Sequence, residues 1–450
     1  MTAMAPIRRS AATARARLAR AAAPLAVLAL AGSGRLAAQQ PADSLTLPAI
    51  YRLIDAGTPR LAAAQAAARA AEARIAPARR PPDPELQLGL MNRRLPGFGL
   101  DEVLGMNQIQ LMQMIPTAGK LGLAAQVERN RAASAGARVA DVRWEERNRA
   151  AMAFYDLYQT DHSLTIARES QRLLRDLVTT TTGMYAVGEG RQPDVLRAQV
   201  ELARMTEDVV RMEAMRSGAA ARLNALLDRP ADTPVPSAAL PDLPAALPPL
   251  DSLQRLAQAH RPMLQAGAGE LQAAEAAERL AGREIWPDLQ LGLQYGWRPM
   301  ESGTDHMASV MVGVRLPIWA GSRQLAMRRE AQAMREMATA DLAAMAAATR
   351  GRVGELYADA ARARTLLALY QSTVMPQADA TVASASASYR VGGVDFMTLL
   401  DARMSATRYR QEVVRLEAEL GRALAELEML VARDLSGTGP GPADDQGGLR

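Results

Sequence analysis

Few residues of this sequence combine the types and spacing that catalysis or metal binding requires. The three histidines, His162, His260 and His306, are far apart, and none belongs to a His-Glu-x-x-His motif or another metal-ligand spacing. Residues 116–120 (PTAGK) resemble the end of a phosphate-binding loop, but the first glycine is missing and Leu121 stands where a serine or threonine is needed. The absence of cysteine excludes disulfides, thiolate metal sites and cysteine nucleophiles. We therefore predict no enzyme, no catalytic residue, no metal site and no cofactor.

Methionine is the one potential ligand that is abundant. The chain has 23 methionines and only three phenylalanines. Seven methionines lie in or beside segments that alternate apolar and polar residues: Met91, Met106, Met112, Met114, Met300, Met307 and Met311. Thioethers bind Cu(I), so metal transport is one interpretation of this cluster. Methionine also fills apolar gaps without any chemistry, and the shortage of phenylalanine favours that second interpretation.

The positive charge of the chain is concentrated in residues 1–38. This segment holds six arginines and no acidic residue, whereas the whole chain has a formal charge of only +5, so the remainder is close to neutral. An uncharged apolar run at 21–31 followed by small residues predicts a secretory signal peptide over 1–38, cleaved after Ala38. A mitochondrial leader is the alternative, but the apolar run favours export. A near-neutral mature chain has no electrostatic footprint for nucleic acid.

Three pairs of segments recur along the chain in the same order. The pairs are 84–90 (PELQLGL) with 287–293 (PDLQLGL), the proline-to-glycine turns at 116–119 and 317–321, and Tyr-x-Val-Gly at 185–188 and 389–392. Their offsets are nearly constant, at 201 to 204 residues, which predicts an internal duplication.

These landmarks suggest a division of the chain into two structural repeats. We place the first at 39–228 and the second at 251–435, with a linker rich in proline and alanine at 229–250. The glycine- and proline-rich tail at 436–450 is expected to be disordered.

Each repeat is predicted to contain a helix, two strands, a very long helix, a glycine turn and another helix. The long helices, near 119–185 and 321–389, would each be a rod of roughly 100 Å. The last helix of each repeat carries an apolar stripe with alternating steps of three and four residues, which is the seam of a coiled coil. In the second repeat the stripe runs from Leu399 to Leu430, and in the first it starts at Val195 and is interrupted at Arg216.

Four segments alternate between an apolar and a polar face. They are 85–90, 106–115, 289–297 and 309–316. A soluble sheet packed on helices would give the same alternation. Strands of about 9 to 10 residues can cross a bilayer when tilted, however, and the predicted helices leave the apolar face uncovered, so lipid contact is favoured. Four strands cannot close a barrel, and an open edge is not tolerated in hydrocarbon, so several chains would have to pool their strands.

The duplicated unit, the turn from strand to long helix and the Tyr-x-Val-Gly turn resemble the TolC family of outer-membrane efflux proteins, over essentially the whole predicted mature chain. The resemblance implies a mainly α fold with a transmembrane β-barrel part, in which long coiled-coil helices form an α-barrel tunnel. It also implies a homotrimer whose chains contribute four strands each to a shared barrel, in contact with the lipid of the outer membrane of a Gram-negative-type bacterium.

In function, the resemblance implies a passive exit duct that spans into the periplasm. Its partners would be a periplasmic adaptor, or membrane fusion, protein and an inner-membrane pump. A periplasmic coiled-coil scaffold or adaptor without a pore is the alternative. The cargo stays open between a drug, a metal ion and a protein, because in such a system the pump selects it.

The family's pattern also implies roles for residues near the two glycine turns. Val187, Gly188, Val391 and Gly392 would form the tips that dock the adaptor.

The resemblance further implies an aperture gate beside those tips. Asp401 stands where similar channels carry the inner of two pore-lining aspartates, and Thr398 stands where they carry the other. Tyr389 and Asp194 match a contact that holds the tunnel mouth closed, but Val394 replaces the arginine that reinforces it. From the residues alone, Asp401 would be an ordinary solvated carboxylate.

Overall fold

The computed structural model describes residues 44–92, 105–244, 246–300 and 302–435. The predicted signal peptide with its cleavage site, and the predicted tail at 436–450, lie outside the described residues.

Helices dominate this part of the chain. They are α1 (Leu47–Ala56), α2 (Pro59–Ala73), α3 (Ile75–Ala78), α4 (Lys120–Ala186), α5 (Gln192–Leu226), α6 (Leu250–His260), α7 (Pro262–Arg283), α8 (Gln324–Leu369), α9 (Met375–Arg390) and α10 (Phe396–Val431), with a π-helical turn (Tyr370–Val374) between α8 and α9. The strands are β1 (Ser44–Leu45), β2 (Glu85–Met91), β3 (Met106–Ile115), β4 (Ser237–Ala238), β5 (Asp288–Met300) and β6 (Gly303–Arg315).

The first long helix matches its predicted extent. Helix α4 has 67 residues and is about 100 Å long. It follows a tight turn in which Ala118 (φ +55°) and Gly119 (φ +75°) both adopt the left-handed conformation. No helix among the described residues is both long enough and apolar enough to cross a membrane.

The second long helical path differs from its predicted form in two ways. Its first helix, α8, begins at Gln324 rather than at Gly321, because successive turns that include a hydrogen bond from Ser322 N to Trp319 O (3.1 Å) occupy the intervening residues. The path also contains the π-helical turn just before Pro376. Proline lacks an N–H and its ring collides with the carbonyl four residues earlier, so the wider turn lets the helix continue through Pro376 without a break.

Four strands form an antiparallel sheet in the order β2-β3-β5-β6. The second pair is longer than predicted, with 13 residues in each strand. The extra residues at 303–308 do not alternate in polarity, so the pattern alone missed them. They pair with 295–300 through the backbone, and the Tyr295 hydroxyl and His306 Nδ1 lie 2.7 Å apart across the two strands.

The helices pack side by side in an open series. Near the sheet the order is α2, α4, α7, α8, and towards the glycine turns it is α5, α4, α10 and then α8 with α9. Buried side chains form three clusters along these helices. The predicted seam of α10 is confirmed, since Leu416, Leu420, Leu427 and Leu430 are all buried.

Arg216 interrupts the apolar stripe of α5 without interrupting the helix. Its Nε donates to Asp161 Oδ1 of α4 (2.5 Å), and its Nη2 donates to Val235 O (3.0 Å). The other Asp161 oxygen accepts from Ser237 Oγ (3.1 Å) and from Ala238 N (3.3 Å). The stripe is therefore broken where a buried aspartate holds α5 and the segment containing β4 against α4.

Candidate functional site

The two glycine turns have the same backbone structure. Gly188 (φ +80°) and Gly392 (φ +73°) both adopt the left-handed conformation that ends a helix, which favours glycine. Gly188 N donates to Tyr185 O and Gly392 N donates to Tyr389 O, each at 3.1 Å. The next amide in each turn donates to the carbonyl of the residue before the tyrosine, at 2.9 Å and 2.8 Å. The Tyr-x-Val-Gly repeat thus encodes two matched helix reversals.

Each reversal presents an apolar side chain to solvent. Val187 is 71% exposed and Val391 is 83% exposed. The predicted docking residues Val187, Gly188, Val391 and Gly392 therefore lie at the ends of the two helical hairpins, where no other part of the described chain covers the valines.

The two tyrosines of the repeat have different surroundings. Tyr185 is exposed, whereas Tyr389 is half-buried and its ring packs edge-on against Phe396, with ring centroids 6.1 Å apart. Burial raises the pKa of the Tyr389 phenol, and the Asp194 carboxylate raises it further. The structure thus brings Tyr389 near Asp194, but among the described residues no hydrogen bond joins them. The phenol stays protonated at neutral pH and remains able to donate.

Thr398 belongs to the cap of α10. Asp395 precedes the helix, and its Oδ1 accepts from Thr398 N (2.8 Å) and from the Thr398 hydroxyl (2.5 Å). These two hydrogen bonds lower the pKa of Asp395, the hydroxyl having the larger effect, and Arg191 at the start of α5 lowers it slightly more. Asp401 lies one turn beyond Thr398 and is exposed. Of the two predicted gate residues on α10, Thr398 is therefore the one that contacts a second carboxylate, Asp395.

Sequence reasoning missed both Asp395 and Arg191. Asp395 could have been found, because an aspartate directly before the apolar stripe and three residues before a threonine is a helix N-cap signal. Arg191 could not, since it comes from the other tip and approaches Asp395 only in the folded chain. It supplies a positive charge near the position where Val394 replaces the expected arginine.

The four-stranded sheet has one apolar and one polar face. The apolar face is exposed to a degree unusual for a soluble sheet, with Leu88 and Val310 both 75% exposed. Its other exposed members include Leu86, Leu90, Ile109, Leu111, Leu289, Leu291, Leu293, Val312 and Val314. The opposite face carries glutamine, methionine and glycine, and Gln294 Nε2 donates to Gln108 Oε1 across the strands (2.6 Å). The sheet is thus apolar on the outside and polar on the side that is partly buried.

Lys120, the only lysine in the chain, fixes the sheet to the long helix. It is buried at the start of α4, and its Nζ donates to Asp288 Oδ1 (2.8 Å) and to Trp286 O (2.9 Å). The same Asp288 oxygen accepts from Thr117 N (3.2 Å). The PTAGK segment therefore joins the first strand pair and its helix to the second strand pair.

Comparison with known proteins agrees with this architecture. Residues 50–229 and 253–433 match the family described as outer membrane efflux protein. No protein of curated function shows significant sequence similarity. Among solved structures, the outer-membrane channel OprN is 21% identical with a TM-score of 0.72, over 86% of this chain and 89% of that chain.

Two further solved structures have the same fold. CusC is 16% identical with a TM-score of 0.74, over 86% of this chain and 92% of that chain. VceC of Vibrio cholerae, an outer membrane protein, is 16% identical with a TM-score of 0.73, over 86% of this chain and 95% of that chain. Because the family match covers most of the sequence, the resemblance to outer-membrane efflux proteins is confirmed, and this chain belongs to the outer membrane efflux protein family.

Proposed function

We propose that this outer-membrane efflux protein is the exit channel of a tripartite exporter, through which cargo from an inner-membrane pump passes by way of a periplasmic adaptor. The observation that carries the proposal is the sheet whose apolar face is exposed, joined through Lys120 to a helix about 100 Å long. Such a face needs lipid to cover it, and such a helix is long enough to extend far from the membrane. Cargo passes without chemistry, so the protein needs no catalytic residue and no cofactor.

The position of aromatic residues supports a membrane-spanning sheet. Tyr295 and Trp297 lie towards one end of β5, and the exposed Trp286 and Trp319 lie at the other end. The ten strand residues from Asp288 to Trp297 cover about 33 Å, or about 23 Å of depth at a tilt of about 45°. This is close to the height of the apolar band that aromatic girdles flank in outer-membrane barrels.

The assembly that closes the channel is a homotrimer with a shared 12-stranded barrel. Among the described strands, β2 and β6 each have one unpaired edge, and such edges must be paired in lipid. The helices have corresponding free sides on α2 and α5 at one end of the series and on α8 and α9 at the other. The two ends differ, so copies would join head to tail and close into a ring. The number three comes from the family resemblance.

The internal duplication, with repeats at 39–228 and 251–435 and the linker at 229–250, is part of the same proposal. The family matches the chain in two segments, 50–229 and 253–433, and the helix reversals at Gly188 and Gly392 share one hydrogen-bond pattern.

We assign the tips and the neighbouring carboxylates to the channel mouth. Val187, Gly188, Val391 and Gly392 would dock the adaptor through the exposed valines.

The gate would consist of Asp401 and Thr398 on α10 and of Tyr389 with Asp194. In a closed ring, copies of Asp401 face one another, and a ring of carboxylates attracts cations. Asp395, which is hydrogen-bonded to Thr398, adds a second carboxylate at the same end of α10. Tyr389 can donate to Asp194 when the mouth closes.

The test is extraction and reconstitution of the full-length protein. We expect it to need detergent for release from membranes, to migrate as a trimer after cross-linking, and to conduct ions in a planar bilayer. Release by salt or sonication alone, without any conductance, would instead establish the periplasmic scaffold.

A further inference from the structure

The methionines of the strand region share one face of the sheet. By the register of the strands, Met91, Met106, Met112, Met114, Met300, Met307 and Met311 all lie on the face that carries the glutamines. A residue that merely fills apolar gaps would be expected on the leucine- and valine-rich face, or on both. The thioethers are instead concentrated on the polar face, which is the face that would line the passage.

One group of methionines surrounds Gly296. Met91 and Met106 are directly paired across β2 and β3, which places their Cβ atoms ~5 Å apart. The Met106 methyl group lies over Gly296, where any larger residue would collide with it. Met307 is the β6 partner of the same glycine. Met106 and Met307 thus meet at one glycine, and Met91 lies beside Met106 on the next strand.

A second group flanks Gly292. This glycine pairs with Met112 on one side and with Met311 on the other. A Cβ on Gly292 would lie 3.1 Å from Met311 Cε, so the Met311 side chain leans over the glycine towards Met112. Gln110 Nε2 donates to Met112 Sδ (2.9 Å), so this sulfur lies among the polar side chains of this face.

Thioethers select soft cations. Neutral methionine sulfur suits Cu(I) and its close analogue Ag(I), whereas Mg²⁺, Ca²⁺ and Mn²⁺ prefer oxygen ligands. Within the described ranges, no group of histidine and acidic side chains could hold a metal ion, so the described part of the chain offers no competing site of that kind.

We propose that the polar face of the sheet carries two binding sites for a soft monovalent cation, Cu(I) or Ag(I). Met91, Met106 and Met307 form the first site over Gly296, and Met112 and Met311 form the second beside Gly292. The inference rests on the proposed function, because only a closed barrel with this face inward places the sites along the exit path. Two weak, adjacent sites would let a cation enter and leave, as conduction requires.

The test measures Ag⁺ binding to the detergent-purified, full-length protein by equilibrium dialysis and elemental analysis. The variants are the triple change Met91→Leu, Met106→Leu, Met307→Leu and the double change Met112→Leu, Met311→Leu. Leucine keeps nearly the same volume, so packing over the glycines persists while the sulfur is lost. The matched control is Met215→Leu with Met337→Leu, which changes two exposed helical methionines.

We expect the wild type and the control to bind Ag⁺ equally, and the triple and double variants each to lose part of that binding. A variant that combines all five changes should lose most of it. Equal binding by the wild type and a variant that lacks all five would overturn the inference. A conducting trimer with no Ag⁺ binding would also refute it while leaving the channel intact. A protein that binds Ag⁺ through these methionines but never conducts would refute the exit-path role and the proposed function together.

Discussion

Replacing Leu293 with arginine tests which face of the sheet meets lipid. Leu293 is near the middle of β5, is 57% exposed, and pairs with Leu111 and Val310, so it is surrounded by apolar side chains. Arginine at the midplane of an outer-membrane barrel costs about 2–4 kcal/mol on the lipid side. Since about 1.4 kcal/mol is a factor of ten, this corresponds to roughly a 30- to 700-fold loss in the folding equilibrium per chain.

The matched control is the next residue. Gln294 lies on the opposite face, pairs with Gln110 and Ser309, and donates one hydrogen bond to Gln108. Gln294→Arg keeps a polar side chain on a polar face, and its cost should be limited to that hydrogen bond, or about 1 kcal/mol. The difference between the two variants therefore isolates lipid exposure from the general effect of a new charge in a strand.

The assay is the amount of assembled oligomer in the outer membrane, measured on unheated gels after equal expression, followed by urea titration of the protein folded into vesicles. We expect Leu293→Arg to reduce assembly severely and Gln294→Arg to resemble the wild type. Equal losses in the two variants would mean that the sheet packs as a soluble one, and the argument from the exposed apolar face would fail.

Four further changes probe the mouth and the junction. Gly188→Leu with Gly392→Leu places a side chain in the left-handed conformation at a cost of about 1–2 kcal/mol per site; assembly and conductance should persist while export in cells is lost, and retained export would contradict docking at the tips. Asp401→Asn should weaken both cation selectivity and block by multivalent cations in a bilayer, and unchanged values would return Asp401 to a solvated surface role. Thr398→Val removes the hydroxyl that lowers the pKa of Asp395, so Asp395 should take up its proton at a higher pH than in the wild type. As the pH is lowered, the variant should therefore lose cation selectivity earlier than the wild type does. Identical pH profiles would exclude Asp395 from the conducting path. Lys120→Met leaves Asp288 without its buried cation and should destabilise the assembled protein by about 3–5 kcal/mol, measured by urea titration, whereas a change below about 1 kcal/mol would show that the junction is held by the backbone alone.

Much of this fold follows from local pattern. The helices, the α10 seam and the two glycine reversals depend on residues within a few turns of one another, and the sequence displays those residues directly. The sheet faces followed from alternation for the same reason. Residues 303–308 do not alternate, so the predicted strand began too late: backbone pairing with 295–300 extends β6 there without any side-chain signal.

The rest depends on contacts between distant segments. Lys120 meets Asp288 across 168 residues, and Arg216 meets Asp161 across 55. In the sequence, Arg216 only interrupted an apolar stripe, and Lys120 only ended a segment that resembles part of a phosphate-binding loop. Both turn out to be buried or half-buried anchors, because a cation brought into the protein interior needs an anionic partner that only the fold can supply. Asp395, which caps α10, was overlooked because the family pattern directed attention to Thr398.

The described part of the single chain leaves apolar surface uncovered and strand edges unpaired, and these features indicate what it must assemble with. A folded domain normally buries its large apolar surfaces and pairs its strand edges. Here the apolar face of the sheet is exposed, two strand edges among the described residues are unpaired, and apolar residues such as Val200 and Val210 remain exposed along α5. Lipid can cover the apolar face of the sheet, but it cannot supply hydrogen bonds to the unpaired strand edges. It also does not reach α5, because α5 packs against α4 and not against the sheet. A further copy of the chain can cover both the edges and α5 at once, because β2 and α5 lie at one end of the array and β6 and α9 at the other. The two kinds of exposed surface thus call for two different coverings, and the proposed ring of identical chains set in a membrane would provide both.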